Sequence, residues 1–503
     1  MKRFSHVKQR QFTSKLAALP PSLRYLTAKH RWYAARLGLY ETVIDNQKAL
    51  WVYSKRAKVV NAFANIKMQR LSDEEAKACI HHILSQNKFR RYHMEFIKEV
   101  VFYYPVEILH YLESNLRLLS DSYYHGLYLA LISRNYSSIG DVKDSLQYYL
   151  DKSVVEYTGE KCLYNNNFLD HKLDKLSNLN DIFSYHNIDT IELLNEHASF
   201  TVINLKAARH TVRQQELIND NRKHKVTVIV TAYNTSKTIN SCINSLLQQT
   251  WRNLEIIVVD DASSDDTLLN LQHLSAQNTA IKVIALPKNV GTFAAKSIGA
   301  QYATGEFLTC QDSDDWAHPQ KIAEQVQPLI EDASIIATTS HWLRLDYDGK
   351  YYVRQIYPFM RQNPASPMFR LQTVKQETGL WHIVRTGADS EFFERLKLVY
   401  GNERITVIKK PLTIASHRHN SLMTSEQFGI YNREAALARL NYWEAWRLWH
   451  IDILYQKSRL VMPDLQQQAN SKQALFPGIP YNIQVDMLSL KENLATHEVL
   501  SKL

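Results

Sequence analysis

Apolar positions follow two different periods along the chain. Between residues 226 and 338, short and mostly apolar runs (226–230, 254–259, 281–286, 306–310 and 334–338) alternate with stretches spaced for helices (236–249, 265–276, 291–303 and 319–330). Strands alternating with helices over short loops predict a parallel α/β sheet with right-handed crossovers. The preceding segment carries a helical period throughout. A helix over 73–84 opens on the cap signal Ser72-Asp73-Glu74-Glu75, another covers 91–101, and 104–118 repeats Ile108, Leu109 and Leu112 at helical spacing. No repeat period is evident there. Towards the end, 432–459 reads as one helix with Tyr442, Trp443, Trp446, Trp449 and Tyr455 along it. Such a stripe predicts packing onto the preceding domain, with an interfacial membrane helix as the alternative. The pattern divides the chain into a helical domain (1–224), an α/β domain (225–425) and a helical extension (426–503).

Glycine and proline support that division. Each occurs 13 times in 503 residues, which excludes collagen-like and low-complexity designs, and both are concentrated in 226–425. No apolar run approaches the ~18 residues that span a bilayer. Cys79, Cys162, Cys242 and Cys310 are too scattered for paired metal or redox motifs. With no export signal in the sequence, the expectation is a cytoplasmic chain with reduced thiols.

The net charge of +10 is uneven. Residues 1–100 hold 20 Lys and Arg against 7 Asp and Glu, whereas 226–503 hold 27 of each. Nine cations precede the first acid, Glu41. They suit an anionic membrane surface, which would make the chain peripheral on the cytosolic face of an inner membrane, or an anionic polysaccharide. Nucleic acid is the weaker reading, because no recognition module is present and the α/β segment is neutral. An acid-poor, Arg-bearing start is also the composition of an organelle transit peptide.

In parallel sheets, ligands gather at the carboxyl ends of the strands. Those ends read Thr231-Ala232-Tyr233-Asn234, then Asp260-Asp261-Ala262-Ser263, then Gln311-Asp312-Ser313-Asp314-Asp315. Five carboxylates at two tips are costly unless a cation, a sugar hydroxyl or a base N–H takes up their lone pairs. An Asp-x-Asp pair suits a hard divalent ion held through substrate phosphates, whereas a lone pair of this kind more often caps a helix. A Gly-x-Gly-x-x-Gly turn and a Walker loop are both missing, so dinucleotide and P-loop folds are excluded.

In order, Val228-Ile229-Val230-Thr231-Ala232-Tyr233-Asn234, Gln248-Gln249-Thr250-Trp251, Val259 to Asp265, Asn289-Val290-Gly291 and Gln311 to Asp315 resemble the family 2 glycosyltransferases of GT-A fold over about 225–425. Together with Gly387-Ala388-Asp389-Ser390-Glu391-Phe392 and Leu422-Met423-Thr424, they are similar to the bacterial capsule enzymes of heparosan-glucuronosyltransferase type. These relatives also carry a long helical segment ahead of the transferase domain. The resemblance argues against a transit peptide.

The resemblance implies an inverting, metal-dependent transfer from a nucleotide sugar, with UDP as the expected nucleotide. Thr231, Tyr233, Asp261, Lys296, Asp312 and Ser313 would bind the donor, with Asp261 on the uracil N3–H and Asp312 on the ribose. Lys296 stands where the family commonly has Arg. Asp314 would hold Mn²⁺ or Mg²⁺, with His417 (or His419) completing the site. Asp389 would be the general base, and a helix N-cap is its structural alternative. Many relatives have Glu-Asp there, and this chain has Ala388-Asp389. Glu391 reads as structural, and Trp381 could stack on an acceptor sugar or lie in the core. The implied acceptor is a growing polysaccharide or lipid-linked chain, with other capsule-assembly enzymes as partners. Two other classes remain open: a non-catalytic scaffold of a capsule complex, and a nucleotidyltransferase that would release pyrophosphate.

Overall fold

The structure, a computed structural model, describes residues 6–25, 27–45, 54–134, 160–208, 223–353, 356–418, 421–471 and 474–500. The first half is mainly helical, and it adds what the pattern does not predict, a small antiparallel sheet of Ile191–Leu193 on Leu205–Ala207. The helix Asp73–Ser85 begins with a complete capping box, in which Ser72 and Glu75 satisfy each other's backbone N–H. The run expected over 91–101 is a 3₁₀ turn, Asn87–Tyr92, followed by the helix His93–Val100. The run expected over 104–118 breaks into Pro105–Glu113 and a 3₁₀ turn, Leu116–Ser120. Pro105 supplies the fixed φ of a first helical turn.

The α/β segment contributes β1 (Val226–Ala232), β2 (Leu254–Asp260), β3 (Ile281–Ala285), β4 (Phe307–Asp312), β5 (Trp316–Ala317), β6 (Ala337–Asp346), β7 (Arg361–Gln362), β8 (Met368–Arg370), β9 (Ile405–His417) and, from the tail, β10 (Glu498–Leu500). They form one ten-stranded sheet in the order β10-β3-β2-β1-β4-β8-β6-β9-β5, with β7 on β6. The centre, β3-β2-β1-β4, is parallel, and its strands are continuous apolar runs because helices cover both faces. Beyond β4 the sheet is mixed: β8 pairs antiparallel with both β4 and β6, and β9 returns parallel to β6. The sheet is therefore parallel at its centre and mixed beyond it.

Four helices connect these strands: α1 (Ile239–Leu247), α2 (Thr267–Gln277), α3 (Thr292–Gly299) and α4 (Lys321–Glu331). Two more follow, α5 (Ala388–Tyr400) and α6 (Arg433–Tyr455). α6 opens where Asn432 accepts from the Ala435 N–H, and it buries Tyr442, Trp446 and Trp449. These rings join the core around Phe392 on α5, so most of the aromatic stripe packs inward as expected, while Tyr455 at its end is exposed. No helix among the described residues is long and apolar enough to cross a membrane.

The boundary expected at 224–225 falls just ahead of β1, and the one at 425–426 between β9 and α6. Hydrophobic packing runs across both. One buried cluster joins Leu16, Phe63, Phe96 and Leu131 of the helical half to Trp316, Leu343, Ile414 and Ile451. The early cations also take part in this packing. Arg24 pairs with Asp452 and is 3% exposed, Arg31 is 2% exposed, and Arg36 lies 2.9 Å from Glu99.

Candidate active site

Strands β1, β2 and β4 end side by side, with Thr231 opposite both Val259 and Asp312, and Ala232 opposite Asp260. The first two tips are stitched together. Asn234, at φ 50°, donates its N–H to Ser263 Oγ (3.0 Å) and accepts from the Ser264 N–H (2.8 Å). Asn is one of the few residues that tolerates this left-handed conformation. Tyr233 is left half exposed, and Thr231 Oγ1 lies 2.7 Å from Thr292 Oγ1 at the start of α3.

The two acids of the second tip differ in role. Asp260 is buried and accepts from the Ser263 N–H, a bond that holds the turn. Asp261 accepts from the Val290 N–H (2.8 Å), the Gly291 N–H (2.7 Å) and the Asn289 side chain (3.0 Å). A carboxylate offers about four acceptor positions, so one lone pair on Oδ1 stays available to a ligand N–H. Burial pushes the Asp261 pKa up to about 7, against the pull of the Val290 and Gly291 amides and the field of Arg385. Arg385 in turn donates to the Asn289 carbonyl (3.1 Å) and side chain, bracing the loop that faces Asp261.

The third tip turns back on itself as the Asp315 N–H reaches the Asp312 carbonyl (3.1 Å). Ser313 is buried in that turn. Asp315 is also buried; it accepts from the Ser416 N–H, and burial beside Asp314 and Asp312 raises its pKa well above the carboxylate range. Its buried carboxyl group holds the Ser416 backbone against the third tip. Asp312 keeps 40% of its side chain exposed and lies 3.4 Å from the ammonium of Lys296. Lys296 is 2% exposed, on α3. Burial works against its charge, but Asp312, Cys310 and Asp389 outweigh it and raise the pKa. The buried cation thus pairs with Asp312 and lies in the field of Asp389.

Asp389 sits in the first turn of α5, half buried, with Oδ1 accepting from the Ser390 N–H (2.8 Å). The helix N-cap is Gly387, at φ +88°, so Asp389 is not the capping residue. Glu391 points the other way and is wholly buried against Arg395 (2.8 Å) and His450 (2.9 Å). It anchors α5 to α6, in line with its structural reading. Trp381 is 4% exposed, packed on Phe369 and Phe392. The structure therefore corrects the acceptor-stacking expectation: burial leaves no ring face for a sugar.

The metal expectation meets a different arrangement. Asp314 Oδ2 accepts from Arg418 Nε (2.8 Å), and His417 stacks face to face on Tyr352 with centroids 3.8 Å apart. Among the described residues no three His, Cys, Asp or Glu side chains converge as a metal cage. A cation completed by substrate phosphates needs only one or two protein carboxylates, and Asp314 fits that donor set. His419 lies outside the described residues.

Residues 227–393 match the model of the glycosyl transferase family 2. They form a family 2 glycosyltransferase domain. A glycosyltransferase of unassigned role from Haemophilus influenzae is 38% identical over 116 residues, covering 23% of this chain and 36% of its own. Glycosyltransferase GlyG of Streptococcus pneumoniae is 31% identical over 127 residues, covering 25% and 42%. The chain thus spans less than half the length of these relatives. Among solved structures, Staphylococcus aureus TarS residues 1–349 in complex with UDP aligns with 46% of this chain and 70% of its own, at 21% identity and a TM-score of 0.34.

Within the family 2 domain, Thr231, Asp261, Lys296, Asp312 and Asp314 stand at one sheet edge, with Asp389 in the field of Lys296. Arg385 and Tyr352 were not singled out in the sequence. Arg385 stands two positions ahead of the Gly387-Ala388-Asp389 block, and that proximity is the signal the sequence offers.

Proposed function

We propose that this chain transfers a sugar with inversion from a nucleotide donor, UDP-linked, to a growing bacterial surface or capsule polysaccharide. The observation that carries this reading is the buried Lys296 ammonium, which lies 3.4 Å from the strand-tip Asp312 and within the electrostatic field of the helix-borne Asp389. It ties the donor side of the site to the acceptor side.

In this reading, Asp261 offers its spare lone pair to the base N–H, a charge-assisted bond. Asp312 accepts from the ribose, with Thr231, Tyr233 and Ser313 lining the donor. Mn²⁺ or Mg²⁺, held by Asp314, would supply Lewis-acid neutralisation of the diphosphate when bound. Asp389 takes the proton of the acceptor hydroxyl as that oxygen attacks the anomeric carbon and the bond to the diphosphate breaks. Direct displacement inverts the anomeric centre. Lys296 and Arg418 would meet negative charge on the leaving group.

Placement on the cytosolic face of an anionic membrane is part of the proposal. Lys15 and Lys29 are exposed and would serve it, whereas Arg24, Arg31 and Arg36 are committed to internal contacts. The deciding experiment is a screen of nucleotide sugars for UDP release with Mn²⁺ or Mg²⁺. Release of UDP, lost in Asp389→Asn, is expected. Pyrophosphate release would mean a nucleotidyltransferase, and no turnover with any donor would leave a scaffold.

A further inference from the structure

A cleft of about 2380 Å³ separates the helical half from the family 2 domain. Drug-sized and cofactor pockets run to about 1,000 Å³, so this space is of polymer size. Its lining holds nine Lys and Arg and five His against four Asp and Glu. Both walls are basic. Arg90, Arg91 and Arg117 are exposed on the helical side, and Lys409 is exposed on β9 opposite. Tyr111 lies in the field of Arg90 and Arg117. At the domain side the cleft reaches Ser390, the residue after Asp389.

We infer that this cleft binds the acceptor as an anionic glycan, a polymer bearing carboxylate or phosphate groups, and leads its end towards Asp389. The inference rests on the proposed transfer reaction and names the acceptor class. Guanidinium and ammonium groups on both walls meet acidic groups on a chain running between them. Tyrosines between them offer ring faces to pyranose C–H surfaces and hydroxyls to sugar oxygens. An acyl chain would need a continuous apolar tunnel, whereas Asn, Ser and His interrupt this lining. A nucleic acid also matches arginines and aromatics. The approach to Ser390 favours the glycan, because the occupant is then what the family 2 domain acts on.

The test uses the full chain and fluorescently labelled probes of equal length: a hyaluronan decasaccharide (carboxylate), a glycerol-phosphate decamer, a neutral dextrin and single-stranded dT10. At least one charged glycan is expected to bind about tenfold or more tighter than dextrin and dT10, with affinity falling as salt rises. In the double variant Arg90→Glu/Arg117→Glu, and separately in Lys409→Glu, that affinity is expected to fall by about tenfold while UDP affinity is unchanged. Equal binding of dextrin, tighter binding of dT10, or wild-type binding by both variants overturns the inference. UDP release from a nucleotide sugar by a protein that fails these tests would remove the acceptor assignment and leave the transferase reading standing. Loss of both would remove the two together.

Discussion

The ammonium of Lys296 lies 3.4 Å from the carboxylate of Asp312, with the lysine buried and 40% of the aspartate side chain exposed. That asymmetry separates a stability effect from a catalytic one. In Lys296→Met the exposed carboxylate can be solvated, so the stability cost is expected to stay below about 2 kcal/mol. Transfer is expected to fall by about 10²-fold or more, because in the proposed reaction the variant removes a preorganised positive charge from the leaving-group side. Urea denaturation and steady-state kinetics on the same protein check the two halves. A rate within about threefold of wild type would remove Lys296 from the mechanism.

Asp389 can be separated from donor binding in the same way. It is half buried and hydrogen-bonded to its neighbour's amide, not to a donor-side residue. Asp389→Asn preserves that acceptor atom and removes the basicity. Transfer is expected to drop by about 10²–10⁴-fold, with UDP affinity by calorimetry unchanged. A parallel loss of UDP affinity would make Asp389 a structural residue.

Nucleotide recognition should carry the titration of Asp261. The proposed bond to the base needs the ionised carboxylate, and burial places this group's pKa at about 7. Protonation removes the acceptor, so uridine affinity is expected to be level above pH 7 and to weaken as pH falls below it, by up to about tenfold per unit. Uridine is the suitable probe because it has no phosphate of its own to titrate. In Asp261→Asn the profile should become flat. A flat profile in the wild-type protein would mean the base is held elsewhere.

Much of the family 2 domain was legible because its signals are local. β1 and β2 are short, β-branched and mostly apolar runs ending in polar residues, and their alternation with helical stretches marks them as central parallel strands. What stayed hidden depends on distant partners. The basic front end looked like a free surface, yet Arg24 finds Asp452 more than four hundred positions away, and Arg36 finds Glu99. Asp-x-Asp at the third tip did not reveal that Arg418 would hold Asp314, or that Tyr352 would cover one face of His417. Trp381 is ambiguous in the sequence, because core tryptophans and sugar platforms share one residue type, and packing on Phe369 and Phe392 decides between them. The wide basic cleft has no linear signature, since its walls come from separate segments of the chain.

The buried Glu391 gives the last prediction, and its sign follows from its partners. Burial alone would raise its pKa, but Arg395 and His450 more than offset that and hold it down to about 2, below the ordinary glutamate value. A carboxyl depressed in the folded state contributes stability that is fully present above its unfolded pKa and lost as pH falls through the folded one. The contribution is about 3 kcal/mol, taken from the size of the depression for a group with no exposed atoms. The urea midpoint should therefore decline from about pH 4.5 towards pH 2 more steeply in wild type than in Glu391→Gln. At neutral pH, Glu391→Gln leaves Arg395 buried without its counter-charge, which is expected to cost about 3–5 kcal/mol. Because Glu391 ties α5 to α6, the same variant should loosen the helix that presents Asp389. Transfer would then fall along with stability, and the conservative Glu391→Asp should recover part of both. Identical acid profiles for wild type and Glu391→Gln would show that this buried pair does not hold α5 in place.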